Sequence, residues 1–201
     1  LGHHHDNSIF SKDLQIDITL IRLNSNGAFD KEFAIDGVAK FEGEQKFYSP
    51  YKIKKLSNGK IIIAGSSNLK PGKGNHFILI LDHTKTINLK VEKNQFAIFE
   101  SPNQQNVQLA EMFILEDESF LLCGTNTVNR ETELLFTHFT SDGKPNLNLN
   151  KKGFLTKKIE GQMRLNLTSG IQQQDGKIII TGSTRKKIGY PDLFFLRFEV
   201  K

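Results

Sequence analysis

The pattern of apolar and polar positions repeats along the chain. Three segments that end in an apolar run and a glycine align with one another, and their glycines, Gly65, Gly124 and Gly182, are 59 and 58 residues apart. A second, almost wholly apolar segment occurs four times at the same period, and a third follows it at 37–41, 95–99 and 153–157. Internal repeats of this length are typical of propellers, solenoids and other repeat arrays.

Each repeat predicts four short β-strands. Strand one ends near Leu56, and Asn58-Gly59 or Asp175-Gly176 then predicts a two-residue type I′ hairpin before strand two. The middle repeat has Asp117-Glu118 at this place, which weakens the turn or changes its type. No 3.6-residue periodicity is found, which excludes a helical solenoid.

The third strand of each repeat is apolar at both alternating sets of positions, as in 75–81 and 192–198. A strand with one wet face would alternate with polar residues, so this strand is covered on both sides. Sheets stacked face to face like propeller blades provide such covering. We therefore predict an all-β, propeller-like array of four-stranded antiparallel blades. A β-solenoid or an open stack of sheets is the alternative.

The chain forms one repeat domain, 1–201, with units at about 1–41, 42–99, 100–159 and 160–201, the first and last being partial. A closed ring of three blades would be smaller than the four to eight that propellers use. We expect the chain to be part of a larger propeller, or half of a ring completed by a second copy. Either a protein partner or that second copy would cover the end blades.

The recurring residues resemble a known family. The motifs follow one another in a fixed order. The first is Asp/Asn-Gly-Lys-Ile-Ile-Ile-Ala/Thr-Gly-Ser and the second is Asp-x-x-Leu-x-Arg-Leu/Phe. They are followed by Asn/Asp-Gly and Phe-Asp-x-x-Phe-x-x-x-Gly-Val. This pattern resembles the bacterial delta-60 (DUF5122-type) repeats, for which β-propellers are expected. The resemblance covers nearly the whole chain from Asp17 onward. It implies a scaffold of a secreted, periplasmic or cell-surface protein and no particular reaction.

Composition and motif content exclude several classes of function. The net charge of +5 is spread over lysines interrupted by Asp and Glu, so no nucleic-acid partner is expected. No apolar stretch is long enough for a membrane-spanning helix. Cys123 is the sole cysteine and is expected to be a small buried residue; His3, His4 and His5 are a tag or a natural loop rather than a metal site. We predict no catalytic residue, metal or cofactor, because no catalytic or phosphate-binding motif is present.

Two sets of polar residues recur on strand three and are candidates for a ligand or partner surface. Asp17, Glu133 and Asp192 start the strand, and Arg22, His138 and Arg197 lie five residues further on. They either form a ligand-binding rim or make cross-blade ion pairs and hydrogen bonds that fix the packing of a structural repeat. The loop residues Arg185, Lys186 and Lys187 form either a partner surface or a solvated basic turn.

These observations favour a non-enzymatic protein-interaction scaffold whose blades dock onto a larger bacterial surface or secretion assembly. The alternative is a carbohydrate-binding or carbohydrate-cleaving propeller that uses Asp17, Glu133 and Asp192. The three glycines Gly65, Gly124 and Gly182 are expected at the end of strand two, where the backbone needs room or an unusual φ.

Overall fold

The computed structural model describes residues 18–41, 47–70, 73–81, 96–99, 106–186 and 189–200, without the side chains of 47, 68–70, 73 and 96. Four antiparallel sheets follow one another in chain order. Sheet I holds β1 (Ile18–Ile21) and β2 (Val38–Phe41); sheet II holds β3 (Phe47–Lys55), β4 (Ile61–Lys70), β5 (Lys73–Leu81) and β6 (Phe96–Phe99). Sheet III holds β7 (Asn106–Ile114), β8 (Phe120–Val128), β9 (Glu131–Phe139) and β10 (Phe154–Lys157); sheet IV holds β11 (Arg164–Gln172), β12 (Ile178–Arg185) and β13 (Asp192–Phe198).

The strands within each sheet are hydrogen-bonded in sequence order, as consecutive hairpins require. A 3-10 turn at Leu149–Lys151 precedes β10. Within the described ranges, no helix is long and apolar enough to cross a membrane. The predicted all-β fold of four-stranded, blade-like sheets is confirmed.

The hairpin between strands one and two has the same form in sheets II, III and IV, but it is not the predicted type I′ turn. Only the last turn residue has a positive φ: 85° at Gly59, 60° at Glu118 and 76° at Gly176. The loop thus has three residues, a type I turn closed by a left-handed residue. In sheet III the Asx bond from Ser119 N–H to Asp117 Oδ1, 3.0 Å, helps to hold Glu118 in this conformation.

The four sheets pack face to face through three hydrophobic cores. We call the face of a sheet that points to the sheet before it in the chain the preceding face, and the opposite one the following face. One core joins the following face of sheet I to sheet II, the second joins II to III, and the third joins III to IV. On the central strands β5 and β9, residues on both faces are buried, which confirms the prediction from their apolar pattern.

Each of the three glycines lies in the middle of strand two, so the prediction that they end the strand is wrong. Gly124 pairs with Leu109 beside a β-bulge in β7. A Cβ atom on Gly124 would lie 2.0 Å from the carbonyl oxygen of Gln108, and its φ is not in the left-handed region. Room for the bulged neighbour, and not an unusual φ, is therefore what this position requires. Gly65 and Gly182 have the same arrangement, at 2.1 Å from Ser49 O and Asn166 O.

Candidate binding surfaces

Two of the three polar residues at the second recurring position of strand three are held by hairpins of their own sheets. Arg197 Nε donates to Gln173 Oε1 at 2.6 Å, and its Nη2 donates to Asp175 Oδ2 at 2.7 Å. His138 Nε2 lies 2.8 Å from Ser119 Oγ, in the hairpin between β7 and β8. These bonds tie strand three to the turn between strands one and two.

Arg22 in sheet I differs, because its partner lies in the loop that follows strand three. Its Nε donates to Asp30 Oδ2 at 2.7 Å, and its guanidinium lies 4.7 Å from the centroid of the Phe33 ring. All three side chains thus bond within their own repeat unit. The predicted cross-blade ion pairs at these positions are wrong, because strand three lies within reach of the loops of its own unit.

His138, Ser119 and Asp117 form a hydrogen-bonded chain whose order matters chemically. Ser119 Oγ donates its only proton to Asp117 Oδ1 at 2.5 Å, so His138 donates from Nε2 to the serine. Burial lowers the pKa of His138, partly offset by the Asp117 charge, and the bond from Ser119 lowers the pKa of Asp117. A catalytic triad needs the aspartate on the histidine and a histidine nitrogen free to accept the serine proton. This chain has the reverse order and holds a turn together.

A cavity of about 350 Å³ opens beside this chain, between sheets III and IV. Its lining brings His138 together with the carboxylates of both hairpins, Asp117 and Asp175, and with Glu116 and Glu199. The cavity is therefore acidic. Across the described ranges, no group of three or more His, Cys, Asp or Glu side chains has a geometry that could hold a metal.

The carboxylates at the start of strand three have partners in their own sheets. Glu133 Oε1 accepts a hydrogen bond from Asn126 Nδ2 at 3.1 Å. Asp192 Oδ2 lies 4.0 Å from Lys186 Nζ, and both side chains are exposed. Asp17 lies outside the described residues. Glu133 and Asp192 thus belong to different sheets and bond to different neighbours, and this arrangement lends no support to a carbohydrate-cleaving pair.

The basic loop between β12 and β13 is only partly described. Arg185 and Lys186 are exposed, and Lys187 lies outside the described residues, as do His3, His4 and His5. The carbonyl oxygen of Arg185 accepts a hydrogen bond from Met163 N–H at 3.0 Å, which fixes the end of β12. Lys186 is therefore held near Asp192, and Arg185 presents its side chain to solvent from an anchored backbone.

Hydrogen bonds between sheets do exist, at positions that the sequence analysis did not single out. Lys52 Nζ donates to Glu111 Oε2 at 2.9 Å, and His76 Nδ1 lies 2.9 Å from Thr137 Oγ1. Both pairs join sheet II to sheet III. They could not be found from repetition alone, because the equivalent residues of the other units are different in type.

The bulges of strand one also meet at one place. The extra residues of the three bulges are Tyr51, Ala110 and Thr168, and all three line a cavity of about 350 Å³. A bulge leaves no clear pattern in the sequence, since any residue type can be the extra one.

Cys123 lies close by in β8 and is buried, as predicted. Burial raises the pKa of its thiol, so the thiol is not a ready nucleophile.

Large apolar side chains are exposed on the following face of sheet IV. Phe195 is 73% exposed and Leu193 77%, whereas the equivalent residues of sheet III, Phe136 and Leu134, are 5% and 0% exposed. Ile171 is likewise exposed where its equivalent, Phe113, is buried. Several large apolar side chains exposed on one face of a sheet are typical of interaction surfaces.

Comparison with known proteins supports the resemblance seen in the repeats. Residues 173–199 match the family model described as "Domain of unknown function (DUF5122) beta-propeller". The matched segment spans the hairpin at Asp175-Gly176, β12 and β13, which include the most regular copy of the repeated pattern. A search of curated proteins found no match. A β-propeller repeat family suggests a protein-binding or structural role.

Proposed function

Residues 173–199 match a DUF5122 β-propeller model, and from this match and the repeats we propose that the chain is a non-enzymatic protein-interaction scaffold. Its blades dock onto a larger bacterial assembly at the cell surface or in a secretion system. The resemblance to secreted and surface-attached repeat proteins supports the extracytoplasmic location.

The apolar following face of sheet IV is the observation that carries this proposal. Leu193, Phe195 and Ile171 form a surface of the kind that sheet III buries against sheet IV. Burying one such side chain is worth roughly 1.5–3 kcal/mol. Three of them on one sheet face are enough to anchor a protein partner, because a few apolar residues near the centre of an interface supply most of its binding energy.

The polar candidates support a scaffold in a second way. Arg22, His138 and Arg197 are bonded to loops of their own units, and Ser119 gives its proton to Asp117. Groups used in this way rigidify the blades. A rigid blade is what a docking surface needs, since binding then orders few additional side chains.

Site-specific photocrosslinking in the native host tests the proposal. A photoreactive phenylalanine analogue at position 195 should give a discrete adduct with one protein, either a component of the cell envelope or secretion assembly or a second copy of this chain. The same analogue at the exposed position Glu160, outside the face, is the matched control and should give none. The adduct should also disappear when Leu193→Asp is added. Absence of an adduct from positions 171, 193 and 195, together with turnover of a substrate by the purified chain, would contradict the proposal.

A further inference from the structure

The sheets of this chain associate by one rule, which is visible three times. The following face of one sheet packs on the preceding face of the next. Between sheets III and IV, for example, Leu134 and Phe136 contribute to the same core as Ile178 and Ile180. Sheet IV ends this series within the described residues with its following face exposed.

The opposite end of the series exposes the complementary face. On the preceding side of sheet I, Ile21 at the end of β1 and Leu23 just after it are 52% and 54% exposed. The equivalent residues of sheet II are Leu79 and Leu81, and both are buried in the core formed with sheet I. Ile21 and its cross-strand neighbour Val38 are apolar, whereas Thr19 and Lys40 on the same face of sheet I are polar and exposed.

We propose that a second copy of this chain occupies the following face of sheet IV, packing the preceding face of its own sheet I there. This inference rests on the proposed function, because it names the partner of the same docking face. The two faces that would meet are already present in every copy. The exposed residues Leu193 and Phe195 on one face, and Ile21 and Leu23 on the other, are equivalent to residues that are buried elsewhere in the chain. The contact therefore continues an interface that the chain itself contains three times.

The contact is head to tail, since a following face meets a preceding face and not another following face. Such a heterologous contact closes into a ring when the rotation between copies permits it. Two copies would supply four complete four-stranded sheets and four incomplete ones, because sheet I has two described strands and sheet IV has three. This gives at most the eight blades that propellers use. Closure of this ring would cover both exposed faces of both copies.

Sedimentation velocity of the purified chain across a range of concentrations is the first measurement. The wild-type chain should shift from 22.8 kDa to a species of twice that mass as concentration rises. A tail variant, Leu193→Asp with Phe195→Asp, should weaken association by at least about tenfold, and so should a head variant, Ile21→Asp with Leu23→Asp. Leu147→Asp changes an exposed apolar residue outside both faces and is the control; its association should match wild type.

Mixing gives the decisive result. The tail variant keeps an intact head and the head variant keeps an intact tail, so an equimolar mixture should form a 1:1 heterodimer although neither variant associates alone. Circular dichroism checks that each variant is folded. If the aspartates disturb sheet I, Ile21→Ser with Leu23→Ser replaces the head variant.

The remaining outcomes overturn the inference. A wild-type chain that stays monomeric at every concentration does so, and so does association that the tail variant abolishes but the head variant leaves intact, which would indicate a symmetric tail-to-tail contact. A monomeric chain that still gives the crosslink at position 195 to an envelope protein would refute the second copy while leaving the scaffold proposal standing. A chain that stays monomeric and gives no crosslink at position 195 would refute both the second copy and the scaffold proposal.

Discussion

The following faces of sheets III and IV have the same strand order and nearly the same residue types, yet one is core and the other is surface. Leu134 and Phe136 on β9 are buried, whereas Leu193 and Phe195 at the same register of β13 are largely exposed. Their difference arises from the neighbouring sheet, since β11 to β13 cover sheet III and none of the described residues covers sheet IV. In this chain the burial of a residue depends more on whether a neighbouring sheet covers it than on the sheet to which it belongs.

Truncating the aromatic ring at this register should show the largest contrast. Phe136→Ala should lower the free energy of unfolding by roughly 3–5 kcal/mol, because it removes a buried ring and leaves a cavity between sheets III and IV. Phe195→Ala should change it by less than about 0.5 kcal/mol when measured at a concentration at which the chain is monomeric. Urea denaturation of both variants checks the pair. Equal losses would show that the face of sheet IV is covered within the same chain.

The glycine beside the bulge should behave alike in both sheets, because its clash lies within one sheet. Gly124→Val should destabilise the chain by about 3 kcal/mol, since the added Cβ would meet the carbonyl oxygen of Gln108. Gly182→Val should act similarly through Asn166 O, although sheet IV is uncovered. Thermal denaturation measures both effects. Gly161→Ala, at a site with open space around it but a positive φ of 73°, is the comparison and should cost about 1–2 kcal/mol through backbone strain alone.

His76 tests the covered interface between sheets II and III through pH. Its position corresponds to Leu134 and Leu193, and burial lowers its pKa from 6.5 to about 4. Between these two pKa values the unfolded chain binds a proton at His76 and the folded chain does not. The free energy of unfolding therefore falls as the pH drops below about 6.5. The loss levels off near pH 4, at up to about 3 kcal/mol. Urea denaturation between pH 4.5 and 8 should show this slope.

The double variant His76→Leu with Thr137→Val removes both partners of the buried bond and should flatten that slope. His138 also has a pKa lowered by burial, so part of the slope should persist in the variant. The difference between wild type and variant is the quantity attributable to His76. An unchanged slope would mean that His76 binds protons equally in the folded and the unfolded chain.

Some features of the candidate surface could be predicted from the residues because they depend on local geometry. The strand-three pattern of 75–81 predicted burial on both faces, and the third segment at 37–41, 95–99 and 153–157 coincides with β2, β6 and β10. Asp142-Gly143 has the residue types of a turn, and Gly143 has the positive φ that such a turn uses. Alternation along a strand and the conformational freedom of glycine depend on a few neighbouring residues, so both can be predicted from the sequence.

Other features depend on contacts between residues far apart in the chain, and only the tertiary structure decided them. The sequence could suggest that His138 and Arg197 recur in register, but their partners Ser119 and Asp175 lie about 20 residues away and belong to the same sheet. A glycine is required at position 124 because the bulge in the neighbouring strand leaves no room for a Cβ atom, and that bulge has no sequence signature. Apolar pattern alone determined that a strand has two faces to bury; whether a face is buried depends on the next sheet, because hydrophobic burial requires a surface to pack against.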